Sequence, residues 1–204
     1  MTILLFVQIV FVCLLGAMSP GPSMVLVINN SIFKNKFNGI LTAIGHGLGI
    51  GISALFAVIG IGIIIETNLL IFNTLKVLSI IFLFYLGFHA LFKKAELDFR
   101  VNNSKNGIKS FFQGLAISIL NPKILIWFIA IYSQFMSQSN NYFFNISLIL
   151  IASIVDTLWY IFLVNLVTSK SIFQIIKMKS ELIQKIVGYF FILIALVLLL
   201  NLLR

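Results

Sequence analysis

The stretch GILTAIGHGLGIGISALFAVIGIGIII, which runs from Gly39 to Ile65, decides the fold of this chain. It holds 27 residues without a single Asp, Glu, Lys or Arg, and a transmembrane helix needs about 20 consecutive apolar residues. Backbone polar groups find no water in a bilayer core, and the stretch lacks the short alternating pattern of barrel strands. We therefore predict that residues 39–65 form one membrane-spanning α-helix.

The composition of the whole chain extends this prediction to a polytopic protein. The 204 residues are 61% hydrophobic and 9% charged, and the mean hydropathy is +1.15, whereas a soluble domain carries about 25% charged residues. Six apolar stretches lie at residues 4–32, 39–65, 69–92, 111–136, 142–167 and 186–203. We predict an all-α integral membrane protein of about six transmembrane helices, which forms a single domain over residues 1–204.

The basic residues predict the orientation of this domain. Eleven of the 14 Lys and Arg residues fall between spans one and two, three and four, or five and six. Cytoplasmic loops carry the excess of Lys and Arg, so these loops are predicted to be cytoplasmic and both termini to lie outside. The net charge of +9 then reflects topology and contacts with lipid headgroups, and we expect no nucleic acid binding. The loop between spans five and six contributes Lys170, Lys177, Lys179 and Lys185.

Two spans contain proline in their middle. Pro20, Gly21 and Pro22 interrupt span one, and Pro122 interrupts span four. Proline has no N–H and pushes the preceding residue out of the α region, so both spans are predicted to be broken. Spans one to three and spans four to six form two groups, and the broken span is the first of each group. This spacing predicts two inverted three-helix repeats, over residues 1–92 and 110–204, joined by a cytoplasmic loop at residues 93–110. The alternative is a kink that serves packing alone.

The breaks also place polar groups inside the membrane. The half-helix that begins near Pro22 presents free N–H groups and a positive dipole end, which suit a carboxylate. Lys123 falls near mid-span, where a cation costs about 2.5–3.5 kcal/mol, unless the break lies close to an interface and the ammonium extends into water. We predict six residues that bind the substrate or couple its transport: Asp156, Lys123, Asn121, Ser19, Ser23 and His46.

Asp156 is the most informative of these residues. It lies near the centre of span five between apolar neighbours, so its carboxylate should face the interior of the helix bundle. It is a candidate to bind an ammonium group or to carry a proton, and the alternative is a structural ion pair, for instance with Lys123. For His46 we favour a buried neutral histidine bonded to backbone or water over a proton relay.

Span two carries a helix-packing pattern. Small residues recur every fourth position, and this spacing lets two helices approach closely. The residues are Gly45, Gly49, Ser53 and Ala57. No cluster of Cys and His predicts a metal site, and no nucleotide-binding or hydrolase motif is present, so we expect neither a cofactor nor catalytic residues.

Several motifs along the whole chain resemble those of the LysE/RhtB family of amino acid exporters. They are Met18-Ser19-Pro20-Gly21-Pro22, the glycine-rich second span, Tyr85-Leu86-Gly87, Phe111-Phe112-Gln113-Gly114, Asn121-Pro122-Lys123, Asp156 with Trp159, and Gly188. The resemblance implies a secondary transporter in a bacterial cytoplasmic membrane. It implies export of amino acids or their derivatives, driven by an ion gradient, and it does not name the solute.

The function that we expect is therefore export of a small zwitterion. Asp156 is expected to bind the ammonium, and Lys123 with the helix start after Pro22 the carboxylate. We expect a proton as the coupling ion, and a homo-oligomer is possible. The main alternative is an exporter or channel for another small metabolite or cation. A membrane enzyme would show more histidines or acids near its spans, and a scaffold would not need a mid-membrane acid and two helix breaks.

Overall fold

The computed structural model describes residues 3–92, 106–136 and 141–202, and these parts of the chain are helical without any strand. The helices are α1 (Ile3–Met18), α2 (Pro22–Asn29), α3 (Lys36–Thr67), α4 (Leu69–Phe92), α5 (Gly107–Ile119), α6 (Pro122–Met136), α7 (Tyr142–Val167) and α8 (Lys170–Leu202). A π-helical turn at Asn30–Lys34 extends α2. We call α2 and this turn, residues 22–34, the linking segment.

The described helices provide four to six candidate membrane spans. Four of them are individually long and apolar enough to cross a bilayer, and two bent helix pairs bring the number to six if each pair is one span. The prediction of an all-α polytopic membrane protein is therefore confirmed. The inverted relation between the two halves stays a prediction, as does the placement of both termini outside.

Both proline breaks bend the chain sharply. The axes of α1 and the linking segment differ by 70°, and those of α5 and α6 by 54°. Gly21 precedes α2 in an extended conformation, and Pro22 opens that helix, where a missing N–H costs nothing. At the second break, the side-chain oxygen of Asn121 accepts the backbone N–H of Lys123 at 3.1 Å. Asn121 is thus the N-cap of α6, a role that its position before Pro122 already indicates.

Glycines bring α3 into direct backbone contact with α5. A Cβ on Gly45 would overlap the carbonyl oxygen of Phe111, and one on Gly49 would overlap the hydroxyl of Ser118. One turn further on, the hydroxyl of Ser53 lies 3.5 Å from the Ser118 carbonyl oxygen. Ala57 continues this face and is buried. The small residues of α3 therefore form the surface on which α5 packs.

The opposite side of α3 contacts α7 in the same manner. A Cβ on Gly47 would overlap the hydroxyl of Thr157, and one on Gly51 would lie 3.3 Å from the Cβ of Ser153. The hydroxyl of Ser153 donates to the Gly47 carbonyl at 2.8 Å. As a result α3 lies between α5 and α7, and this arrangement brings α7 next to the two breaks.

The last helix is longer than the sequence pattern predicted. We placed Lys170, Lys177, Lys179 and Lys185 in a loop before a span at residues 186–203, but α8 begins at Lys170. Only Thr168 and Ser169 separate α8 from α7. The charges between Met178 and Lys185 are spaced for a helix, because Glu181 and Lys185 stand four residues apart in the favourable order. The part of α8 long and apolar enough to span a bilayer is Met178–Leu200.

Candidate functional site

A cavity of about 70 Å³ lies between the two helix breaks and α7. A single water needs about 10–15 Å³ of such space, so the cavity has the size for a small solute rather than a peptide. Its lining includes all six residues that the sequence predicted for binding or coupling: Asp156, Lys123, Asn121, Ser19, Ser23 and His46. The fold therefore brings together residues from the two breaks and from α2, α3, α6 and α7 that are as much as 137 positions apart.

One side of the cavity is electropositive. The ammonium of Lys123 donates to the hydroxyl of Ser19 at 3.0 Å. The first turn of α2 begins at the same side, and no side chain caps it, so its free N–H groups remain available to a ligand. Helix α6 also begins here, at Pro122. One ammonium and the positive ends of two helices therefore favour a carboxylate at this side.

The other polar side of the cavity is a buried pair of titratable groups. The Nδ1 atom of His46 lies 2.7 Å from Oδ2 of Asp156. The two residues are 2% and 4% exposed, and the Tyr160 ring packs edge-to-face on the imidazole at 4.8 Å between centroids. The Nε2 atom of His46 is buried and has no hydrogen-bond partner among the described residues.

This geometry corrects one interpretation made from the sequence. We expected His46 to bond backbone or water, but its Nδ1 atom bonds the Asp156 carboxylate instead. The alternative of an ion pair between Asp156 and Lys123 is not seen, because Lys123 bonds Ser19. The sequence could not identify these partners, for one physical reason. Which side chains meet depends on the close contact between α3 and α7, and a pattern within one span does not report that contact.

The remaining wall of the cavity is apolar and aromatic. Trp127 lies against α1 at Gly16, where an added Cβ would be 2.8 Å from its indole nitrogen. Its ring also contacts Phe191 of α8, at 4.9 Å between centroids. Sequence reasoning missed both aromatic residues. Helical spacing was the available signal for Trp127, because it stands one turn after Lys123 and so shares its face.

The cavity presents a negative charge at Asp156, a positive charge at Lys123 and an apolar wall. An ammonium group fits beside the carboxylate of Asp156, and a carboxylate fits beside Lys123 and the start of α2. In the described part of the chain, no three His, Cys, Asp or Glu side chains are arranged to hold a metal ion. The arrangement can bind a small zwitterion without further groups.

We expect cysteines at Ser23 and Ile124, each introduced into a Cys13→Ser background, to react with a small polar thiol reagent. Both positions line the cavity although they lie on different half-helices, and polar reagents reach wet cavities but not lipid-facing side chains. A transported solute should slow both reactions. The matched control is Leu158→Cys, whose side chain is 61% exposed on the outer surface of α7 and should stay unreactive. Reaction rates at Ser23 and Ile124 equal to that control would show that the breaks face no shared cavity.

The chain is also similar in sequence to known proteins. A protein-family model described as "LysE type translocator" matches residues 14–202. An uncharacterized membrane protein of Bacillus subtilis, YrhP, is 29% identical over 83% of this chain and 86% of its own length. The threonine efflux protein of Escherichia coli K12 is 26% identical over 67% of this chain and 69% of its own length. The leucine efflux protein of Salmonella choleraesuis is 28% identical over 57% of this chain and 56% of its own length. No solved structure matches the chain significantly.

Proposed function

We propose that this chain, which belongs to the LysE-type translocator family, exports an amino acid or amino acid derivative across a bacterial cytoplasmic membrane. Two of its relatives are named as efflux proteins, one for threonine and one for leucine. Family membership supports a transporter rather than an enzyme. The assignment of an amino acid as the substrate rests on the relatives' names and on the chemistry of the cavity.

The observation that carries the proposal is the separation of charges within one cavity. Asp156 and Lys123 both line it but hold different partners, His46 and Ser19. Neither charge is neutralised by the other, so each remains available to an opposite charge on a ligand. An α-amino acid carries both charges on one carbon. It therefore satisfies two buried groups that would otherwise stay incompletely paired, which is the condition for tight recognition.

The buried pair supports a proposal for coupling as well. Asp156 and His46 share a short hydrogen bond at the cavity wall, and histidine and carboxylate groups are the usual proton carriers inside membrane transporters. We propose that a proton bound at this pair is exchanged for the substrate ammonium. The excess of Lys and Arg between spans one and two, three and four, and five and six supports a cytoplasmic location for these connections. It also supports an external location for both termini.

The experiment that tests the proposal is export from loaded cells. Cells with and without the protein are loaded with one labelled amino acid at a time, and the rate of its appearance outside is measured. We expect faster, saturable export of at least one amino acid, together with dependence on the ion gradient. Export that never saturates and ignores the gradient would favour a channel instead. If no amino acid leaves faster in the presence of the protein, another small metabolite or cation becomes the substrate class to test.

A further inference from the structure

Two side chains fasten the linking segment to its neighbours. Asn30 Nδ2 donates to Thr42 Oγ1 at 2.7 Å and to Gln113 Oε1 at 3.2 Å. One turn further along the segment, Lys34 Nζ donates to Ser110 Oγ at 3.1 Å and to Gln113 Oε1 at 3.0 Å. We call these four hydrogen bonds the clasp. They join the segment to α3 and α5 at the end of the bundle that bears the basic loops.

The partners of the clasp belong to helices that cannot easily separate. A Cβ on Gly114 of α5 would overlap the carbonyl oxygen of Thr42 in α3, and a Cβ on Gly45 of α3 would overlap that of Phe111 in α5. Backbones in such direct contact have no flexible side chain between them to absorb a displacement, so they move together. If the clasp opens, the linking segment is therefore the part that moves.

The linking segment is built for such a movement. An extended residue stands at each of its ends: Gly21 with φ −179° and ψ −172°, and Asn35 with φ −176° and ψ 170°. Both residues interrupt the helical backbone, so the segment can rotate without bending a continuous helix. A π-helical turn inside a helix, like the one at Asn30–Lys34, is often found at functional sites. The other face of the segment packs on α7 through apolar side chains, whose attraction is not directional.

Lys34 is the charged member of the clasp. Its side chain is 6% exposed, and among the described residues it forms no salt bridge. Within the parts of the chain that the structure describes, a hydroxyl and an amide accept from its donors and no carboxylate faces its charge, whereas buried charges are normally paired. It lies at the predicted cytoplasmic side, which is where the substrate of an exporter arrives.

We propose that Lys34 is a carboxylate-binding site at the cytoplasmic entrance, and that a carboxylate bound there releases the clasp and opens the cavity. Ser110 and Gln113 offer the ammonium only neutral acceptors, whereas a carboxylate brings the opposite charge as well, so a carboxylate displaces Ser110 and Gln113 from Lys34. That the carboxylate belongs to an amino acid rests on the proposed function. The proposal that the clasp closes the entrance is independent of the proposed function.

A buried polar ridge connects the clasp with the cavity. Asn38, Thr42 and His46 follow each other every fourth residue along α3 and are at most 2% exposed. Asn38 accepts from the Ser110 hydroxyl at 2.8 Å, and His46 reaches Asp156. Beyond His46 the same ridge continues with Ile50 and Ala54, which are apolar. The polar part of this ridge therefore extends from the clasp to the cavity and ends at the cavity.

The clasp is tested with the native thiol. Cys13 is the single cysteine of the chain and lines the cavity. Vesicles that expose the basic loops are treated with a charged, membrane-impermeant thiol reagent, and the rate of Cys13 labelling is measured. Gln113→Leu removes two of the four bonds and keeps Lys34, so we expect labelling about tenfold faster than in the wild type. Equal rates in Gln113→Leu and wild type would overturn the clasp.

Two controls accompany this measurement. Gln134→Leu makes the same substitution at the far end of α6, where the amide donates to the Lys76 carbonyl at 3.4 Å, and should label at the wild-type rate. Cys13→Ser should not label at all. Acceleration by Gln134→Leu as large as that by Gln113→Leu would show general loosening instead of an opened clasp.

The carboxylate site has a separate readout, the KM of amino acid uptake into the same vesicles. We expect Lys34→Met to raise KM about tenfold or more and Lys34→Arg to restore it, while Gln113→Leu changes KM by less than about threefold. An unchanged KM in Lys34→Met would overturn the carboxylate site. If the wild type takes up no amino acid, the proposed function fails, and the labelling experiment still decides whether the clasp closes the entrance.

Discussion

Asp156→Asn should insert into the membrane normally and lose at least about 100-fold in export rate. Asparagine keeps the shape of the side chain, and its amide can still contact His46 at the present 2.7 Å. It removes the negative charge that the substrate ammonium needs. Removing one partner of a buried ionic pair costs about 3–5 kcal/mol, because the other charge stays buried without compensation. Export of labelled amino acid from loaded cells, normalised to the amount of protein in the membrane, measures this loss.

The matched control for this variant is Glu66→Gln. It makes the same change from acid to amide near the end of α3, where the side chain is exposed, and should export at the wild-type rate. A second readout separates binding from coupling. If Asp156 also carries the proton, Asp156→Asn exchanges substrate across the membrane but no longer responds to a pH gradient. Wild-type net export from Asp156→Asn would show that the carboxylate has a structural role alone.

Gly45→Ala should destabilise the protein by about 1–3 kcal/mol or more, whereas Gly60→Ala should not. The added methyl group at position 45 would overlap the Phe111 carbonyl oxygen, which belongs to a backbone and cannot rotate away. At Gly60, on the same helix, a Cβ meets no atom within 4 Å. Alanine also favours the helix over glycine by about 1 kcal/mol. The two substitutions should therefore have effects of opposite sign.

Thermal unfolding of the two variants in detergent measures this difference. Gly45→Ala is expected to lower both the Tm and the yield of monodisperse protein, and Gly60→Ala to leave the Tm unchanged or to raise it. The pair tests the contact and not the general tolerance of α3 to alanine, because both substitutions add the same methyl group to the same helix. A Tm for Gly45→Ala at or above that of the wild type would show that α3 and α5 do not pack backbone to backbone.

The helices and the breaks could be predicted because each depends on local chemistry. An uncharged apolar run has to be helical in lipid wherever it lies in the chain, and the bounds of α4 and α7 agree with the predicted stretches at residues 69–92 and 142–167. Proline removes a donor from its own helix, so the two bends also follow from the sequence alone. The mid-membrane position of Asp156 was sufficient to predict that its side chain is buried.

The partners within the site could not be predicted in this way. His46 and Asp156 are 110 positions apart, and Lys34 lies 79 positions from Gln113. Their contacts depend on how closely α3 approaches α5 and α7, which is a property of several helices at once. We interpreted Lys34 as one of many loop charges that set topology, because nothing in its neighbourhood distinguishes a buried lysine from an exposed one.

The glycine contacts of α3 have a consequence for the transport cycle. Helix α3 belongs to the first predicted repeat, and α5 and α7 belong to the second, so these contacts tie the two repeats together. Two repeats joined along a shared backbone surface cannot rock against each other as rigid bodies. We therefore expect alternating access to come from the short half-helices that meet at the proline breaks, while α3, α5 and α7 stay in place. A cycle of this kind moves few residues through the bilayer and deforms little lipid.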